Sequence, residues 1–332
     1  VGNKADINEN DILKFWESDP NVKVHTFYLE SFVNGLEFIK PFVLGEASKP
    51  AIVLKAGRTK SGMKAASSHT GALGSQDRVV NALLKQFGIV RASDLNEMFN
   101  TAKGFENFPI PKGRNVAVIT NAGGPAILAV DAIEGCGLAL AEISNFTKQK
   151  LRELVLPEAS VNNPVDMLPG ANAELYKRAN EIVAEDENVD AIISIFVEPV
   201  MVQPLEVVES INEIDSEKPI FQVVMPLPEF WENYRTKSKT RKPLFRNPEE
   251  PSKIISNMLF ASSVKFEIQE KQNEIKGLFS LPQRELKFHN GYLFSDEAAQ
   301  LCKDYNIPVP FTSILNNDEL RNIDDSLFPI VL

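Results

Sequence analysis

Short β-rich runs alternate with amphipathic helical segments along most of this chain, and that alternation restricts the fold more than any other feature. VKVHTFYL at 22–29 and AIVLKAG at 51–57 are separated by NGLEFIKPFVLGEA, which reads as a helix. From Asp77 a helical face carries Val80, Leu83, Leu84 and Phe87, with Gly88 as its stop; Leu95, Met98, Phe99 and Ala102 repeat the spacing behind Ser93, a candidate cap. After FENFPIPKGR, 105–114, where prolines, glycine and charge break the period, the alternation restarts. VAVIT at 116–120 is followed by the turn NAGGP and the helix AILAVDAIEG. DAIISIFV at 190–197 and PIFQVV at 219–224 are further interior strands, with ELYKRANEIVAED and PLEVVESINEI as helices among them. Apolar strands interleaved with helices require parallel sheets covered on both faces. The expectation is α/β: two doubly wound sheets joined by right-handed crossovers.

NPEEPSKIISNMLF, 247–260, reads as the helix closing the second unit; from 264 the period weakens into a linker, and a helix from Asp296 to Tyr305 follows. The final FPIVL reads as a strand with no following element to cover it, the expectation being a truncated third domain and the alternative a short C-terminal extension that docks on its own chain. At 332 residues the chain exceeds a single core. Its net charge of −10 argues against nucleic acid as a partner, since a polyanion needs a basic surface. The one basic run, RTKSKTRK at 235–242, is either a solvated loop or a contact for a phosphate-bearing ligand or partner domain. No apolar run reaches the roughly 18 residues that span a bilayer, and the start lacks a secretory pattern, so the expectation is a cytoplasmic protein without a membrane partner. Cys136 and Cys302 are expected as reduced thiols, and no Cys/His cluster offers a zinc site.

The stretch Gly57 to Ser75 carries the most chemistry. Its glycines permit tight turns, Ser67, Ser68, Thr70 and free amides such as that of Gly71 can donate to an anion, and Arg58, Lys60 and Lys64 add positive charge. Within it, His69 is either a surface residue or a nucleophile whose neutral ring nitrogen attacks phosphorus while a carboxylate holds the other nitrogen. Glu30, at the end of VKVHTFYL, is the preferred carboxylate, because the carboxyl ends of parallel strands face the ligand crevice; the alternative is a solvated acid. His25 reads as structural and His289 as exposed. NAGGP, 121–125, is either a strand-to-helix turn or a phosphate cradle, with Asn121, Ala122, Gly123 and Gly124 meeting the positive end of the next helix. Asp166 in NPVDM either binds a ligand group or forms a turn; EPVMV, 198–202, ends another strand.

Together, VGNKADINENDILKFWESDPNVKVHTFYLES, KAGRTKSGMKAASSHTGALGSQD, VITNAGGP, NNPVDM and DYNIPVP resemble the nucleoside-diphosphate-forming acetyl- or acyl-CoA synthetases, relatives of succinyl-CoA synthetase. The resemblance covers essentially the whole chain and implies flavodoxin-like domains. Residues 1–108 would be the phosphohistidine-carrying domain, 109–263 a second flavodoxin-like domain, 264–290 a linker and 291–332 the incomplete start of an ATP-grasp domain. It also implies a reversible reaction in which acyl-CoA, phosphate and ADP become carboxylic acid, CoA and ATP through acyl phosphate and phosphohistidine. His69 corresponds to the family's SHTG histidine and Glu30 to the acid of its YxEG strand end, the glycine being Ser31 here. Ser67, Ser68, Thr70, Gly71 and Asn121 through Gly124 would hold phosphate, supported by Arg58 and Asp166. ATP or ADP, Mg2+ and CoA are implied for the full-length enzyme, with inorganic phosphate at the histidine site, no metal within this stretch and nothing tightly bound to it. The implied partners are a CoA-binding domain and an ATP-grasp domain of the same protein or complex, in a homo-oligomer. Without those domains the stretch is not expected to turn over alone. The rival readings are a regulatory small-molecule-binding module of a protein acetyltransferase and a non-catalytic docking scaffold; retention of the histidine favours the synthetase.

Overall fold

The computed structural model describes residues 4–59, 61, 62, 64, 77–199, 201–240, 242–271, 292–305 and 307–309. In the first sheet β1 (His25–Leu29), β2 (Ala51–Lys55) and β3 (Val90–Arg91) run parallel in the order β1-β2-β3, with His25 opposite Ala51 and Ile52 opposite Val90. Side chains alternate across a strand. Phe27, Leu29, Ala51 and Val53 therefore share a core with α1 (Glu9–Ser18), α2 (Gly35–Val43) and α3 (Asp77–Gln86), while Ile52, Leu54 and Val90 face the other way. Asn8 and Asn34 cap α1 and α2 through their side chains. Gly88, at φ +67, ends α3 where the sequence places its stop, and the Ile89 amide closes back on the Leu84 carbonyl at 2.9 Å. The cap of α4 (Leu95–Asn107) is Asp94 and not the expected Ser93. The Asp94 carboxylate accepts from the Glu97 amide, while Glu97 reaches back to the amide and hydroxyl of Ser93, so the two neighbouring residues divide the capping between them.

The second sheet is also parallel. β4 (Asn115–Thr120) is central, flanked by β7 (Ala191–Val197) and then β8 (Ile220–Met225) on one side. Its other side is shared by two short strands: β5 (Ala139–Leu140) pairs with its first half and β6 (Val165–Asp166) with its second. Asn163 fills the gap, its carboxamide accepting from the Val118 amide and donating to the Val116 and Ala141 carbonyls at 2.9–3.0 Å. That is the structural work of NNPVDM, whose Asn163–Pro164 peptide is cis. Val116, Val118, Ile193 and Ile195 face α5 (Gly123–Gly135); Ala117, Ile119, Ile192 and Phe196 face α6 (Asn145–Leu154), α7 (Ala173–Ala184) and α8 (Pro204–Asn212). The sheet is thus covered on both faces, as its uninterrupted apolar strands demand.

The segment 227–243, irregular in sequence, contains α9 (Glu229–Lys237). The basic run that ends it is tied down: Lys242 donates to the Asn212 carbonyl at 2.9 Å, and the Lys239 amide donates to Glu209 at 3.0 Å. α10 (Glu250–Glu270) extends seven residues past 263, into the expected linker. Ile254, Ile255 and Met258 of this helix pack under the second sheet and Ala261 under the first. Because its buried side passes from one core to the other, no single apolar stripe runs its length, and the period that would have marked its last turns is lost. Residues Val1–Glu270 form one compact unit and Lys271–Leu332 another, in which α11 (Ser295–Asp304) is the described helix. Cys136 and Cys302 are free thiols, and no described helix is long and apolar enough to cross a membrane.

Candidate functional site

Open parallel sheets bind ligands beyond the carboxyl ends of their strands. At that end of the first sheet, Glu30 follows β1 directly. Its Oε2 is buried and has no hydrogen-bond partner among the described residues. The turn behind it is pinned from the chain start: Lys4 Nζ donates to the Ser31 carbonyl and pairs with Glu9 Oε2, each at 2.6 Å, and Glu9 Oε1 accepts from the Val33 amide at 2.6 Å. Both side chains of that ion pair are almost wholly buried. Lys55, the last residue of β2, is 2% exposed and donates to the Ala56 carbonyl at 2.6 Å. Burial lowers its pKa, whereas Asp77 and Glu30 support the charged form against Arg91 and Lys4. Asp77, which opens α3, is paired with Arg91 of β3. Arg58 is exposed just beyond β2. Ser67, Ser68, His69, Thr70 and Gly71 lie outside the described residues, as does His289.

At the carboxyl end of β4, the Asn121 carboxamide donates to the Val197 carbonyl at 2.8 Å and accepts from the Val197 amide at 2.9 Å. The expected phosphate ligand therefore spends its side chain tying the turn to β7. Ala122 is similarly engaged, its amide donating to Thr120 Oγ1 at 3.0 Å. Ala122 is also the N-cap of α5 and supplies no side-chain acceptor. Gly123 and Gly124 consequently carry the first two helical amides, both exposed and without a capping group, and Pro125 has no N–H to add. A Cβ built on Gly124 would meet nothing within 4 Å. Of the four residues expected to cradle phosphate here, the two glycines open the helix without a side-chain cap, Gly124 beside open space and Gly123 near the Asp166 carboxylate.

Asp166 forms the turn that was one of its two readings, accepting from the Leu168 amide at 3.0 Å and bracing Leu168 at φ +67. Its Oδ2 also lies 3.9 Å from where a Gly123 side chain would begin, against the start of α5. Beneath the turn, the Tyr176 hydroxyl donates to the Ile195 carbonyl at 2.7 Å; burial and Asp166 push the phenol well above its ordinary range. His25 is fully buried with Nε2 on Glu17 at 2.9 Å, as suits a structural histidine. Among the described residues no group of three or more His, Cys, Asp or Glu could hold a metal ion. Sequence reasoning missed Lys55 and the Lys4–Glu9 pair. Lys55 opens the KAGR motif, but as the last residue of an apolar strand it was not counted with the loop cations.

Residues 1–105 match the succinyl-CoA-ligase-like flavodoxin domain, and residues 116–226 match the Ligase-CoA domain. The chain is 37% identical over 231 residues to the alpha subunit of ADP-forming acetate–CoA ligase II of Pyrococcus furiosus, covering 68% of this chain and 50% of that one. It is 31% identical over 339 residues to ADP-forming acetate–CoA ligase I of Archaeoglobus fulgidus, covering 100% and 48%. Among solved structures, the dinucleotide-forming acetyl-coenzyme A synthetase 1 of Ca. Korarchaeum cryptofilum, in complex with phosphate and ADP, superposes with a TM-score of 0.72 at 28% identity, covering 80% of this chain and 58% of that one. The chain spans about half the length of the curated relatives it matches. With both domain models in order and the same paired α/β architecture, the chain belongs to the nucleoside-diphosphate-forming acetyl- and acyl-CoA synthetase family, relatives of succinyl-CoA synthetase.

Proposed function

We propose that this chain is the phosphoryl-carrying portion of an ADP-forming acyl-CoA ligase. Phosphate oxygen attacks the thioester carbonyl and CoA leaves as the thiol, giving acyl phosphate. A ring nitrogen of His69 then attacks phosphorus, and the P–O bond to the acyl group breaks to release the carboxylate. The β-phosphate of ADP takes the phosphoryl group from His69, giving ATP. Mg2+ supplies charge neutralisation at the nucleotide when bound.

Each assignment follows from what a residue offers. Glu30 accepts the N–H of the His69 ring nitrogen that does not react, fixing the tautomer and balancing the positive charge of the phosphorylated ring. The Gly123 and Gly124 amides, at the positive end of α5, donate to phosphate oxygens. Ser67, Ser68, Thr70 and Gly71 enclose the phosphoryl group on the histidine segment, Arg58 adds charge at its entrance, and Asp166 shapes the turn opposite Gly123. A CoA-binding domain and an ATP-grasp domain complete the intact enzyme.

The observation that carries this reading is Glu30: a buried carboxylate oxygen without a hydrogen-bond partner among the described residues, just beyond the strand that neighbours the one leading into the SHTG segment. In the intact enzyme, Glu30→Gln should lower ATP formation from acyl-CoA, ADP and phosphate by a factor on the order of 100 to 10,000. Parental turnover in that variant would sink the assignment.

A further inference from the structure

A cavity of about 60 Å³ lies at the amino end of β8, the opposite end of that sheet from the start of α5, and Asn212, Lys218, Gln222 and Lys242 are among the residues around it. That volume takes about four waters, or one small ion in their place. Gln222 is 4% exposed, and its Oε1 is buried without a hydrogen-bond partner among the described residues. A chain of bonds fixes its orientation. The Tyr234 hydroxyl donates to the Lys242 carbonyl at 2.5 Å, so the phenol oxygen is left to accept, and Asn212 meets it with the NH2 that also donates to Thr240 Oγ1 at 2.7 Å. Asn212 Oδ1 then faces Gln222, whose Nε2 donates to it at 2.8 Å. What Gln222 has left is an acceptor, and an acceptor buried without a donor is costly.

Two ammonium groups stand around the same space. Lys242 Nζ donates to the Asn212 carbonyl at 2.9 Å and Lys218 Nζ to the Asp186 carbonyl at 2.5 Å, so each keeps two further hydrogens to give. Both bonds go to neutral carbonyls. Burial lowers the Lys218 pKa, while Asp186 and Asp190 support its charge. A cationic donor is repelled by these two lysines, whereas an anion that still carries a proton satisfies the acceptor and the cations together.

We propose that this cavity binds hydrogen phosphate: the P–O–H donates to Gln222 Oε1, and the anionic oxygens accept from Lys218 and Lys242. The ligand class is narrow. Sulfate has no proton to donate at neutral pH, and a phosphate monoester has mostly lost its own above about pH 6. Bound there, phosphate bridges the end of α8, the start of β8 and the segment that follows α9. The site stands one strand's length, roughly 17 Å, from the carboxyl ends where the relay is proposed, and it uses none of that machinery.

The test is equilibrium dialysis of the intact enzyme against labelled inorganic phosphate at neutral pH, with and without excess unlabelled sulfate. Sulfate competes for any site built from amides and cations alone. In its presence the parent should keep one phosphate per chain, preferred over sulfate about 100-fold because sulfate leaves the Gln222 acceptor unmet. Gln222→Leu should hold phosphate there no better than sulfate, and Lys242→Met should weaken it about tenfold through the loss of a charge-assisted bond. Lys242→Met carries the comparison alone if the leucine variant fails to fold. Complete displacement of phosphate by sulfate, or retained phosphate that neither substitution weakens, overturns the proposal. So does a crystal grown with phosphate in which the cavity holds only water. None of these outcomes touches the relay, whose phosphate is counted without sulfate.

Discussion

Gly104 of α4 and Ile254 of α10 meet so closely that a Cβ added at 104 would lie 2.3 Å from Ile254 Cγ2 and 3.2 Å from Met258 Sδ. This crossing joins a helix of the first sheet to one that underlies both, and it makes one compact unit of two folding patterns. Glycine inside a helix normally weakens it, so alanine at an exposed helical site gains about 1 kcal/mol. Here the sign should reverse. Gly104→Ala is expected to destabilise by about 1–3 kcal/mol, the range for overpacking, as read from urea unfolding. A more stable alanine variant would show that the two helices separate readily.

Acid should loosen the same junction. Burial raises the Glu97 pKa, but bonds from Ser93 and Asn257 and the charge of Lys253 outweigh it, and the net shift is downward from 4.5. Glu250 is held below 4.5 in the same manner, burial being outweighed by Asn96, Asn247 and the Arg246 amide. A carboxyl depressed on folding stabilises above its unfolded value, and that contribution is lost as pH falls through the folded one. Thermal midpoints should therefore drop from about pH 4.5 downward, and Glu97→Gln should flatten that descent. An unchanged slope in the variant would contradict this account of the interface.

The uncapped start of α5 sets stability against ligand binding. Ala122 has the extended backbone of an N-cap, φ −148 and ψ 123, but offers no acceptor. Ala122→Asp should stabilise the fold by about 0.5–2 kcal/mol. The same carboxylate would occupy the Gly124 amide and repel phosphate, so the apparent KM for phosphate should rise. Stabilisation with unaltered phosphate dependence would move the phosphate site away from these glycines.

The strands and most helices were legible because each buries its apolar residues on a fixed period against one sheet. α10 was not fully legible, since its buried side changes cores, and α9 was obscured by the charges of its exposed surface. Near the proposed site, the place of Glu30 at a strand end was readable from the apolar run before it. The division of labour within NAGGP was not: Asn121 looks like a ligand in one dimension, and only pairing with Val197, far along the chain, shows it to be a clamp. Lys55 was hidden for the opposite reason, as a charge lodged within an apolar strand.

The central claim is that His69 carries the phosphoryl group, and the most direct measurement is acid-labile labelling of the full-length protein by labelled ATP, with His69→Ala alongside and the modified peptide mapped. The account predicts label on His69 that disappears when ADP is added and is absent from the alanine variant. A folded, ATP-binding protein that takes no label, or labels equally without His69, would contradict it and favour a regulatory module built on the same fold.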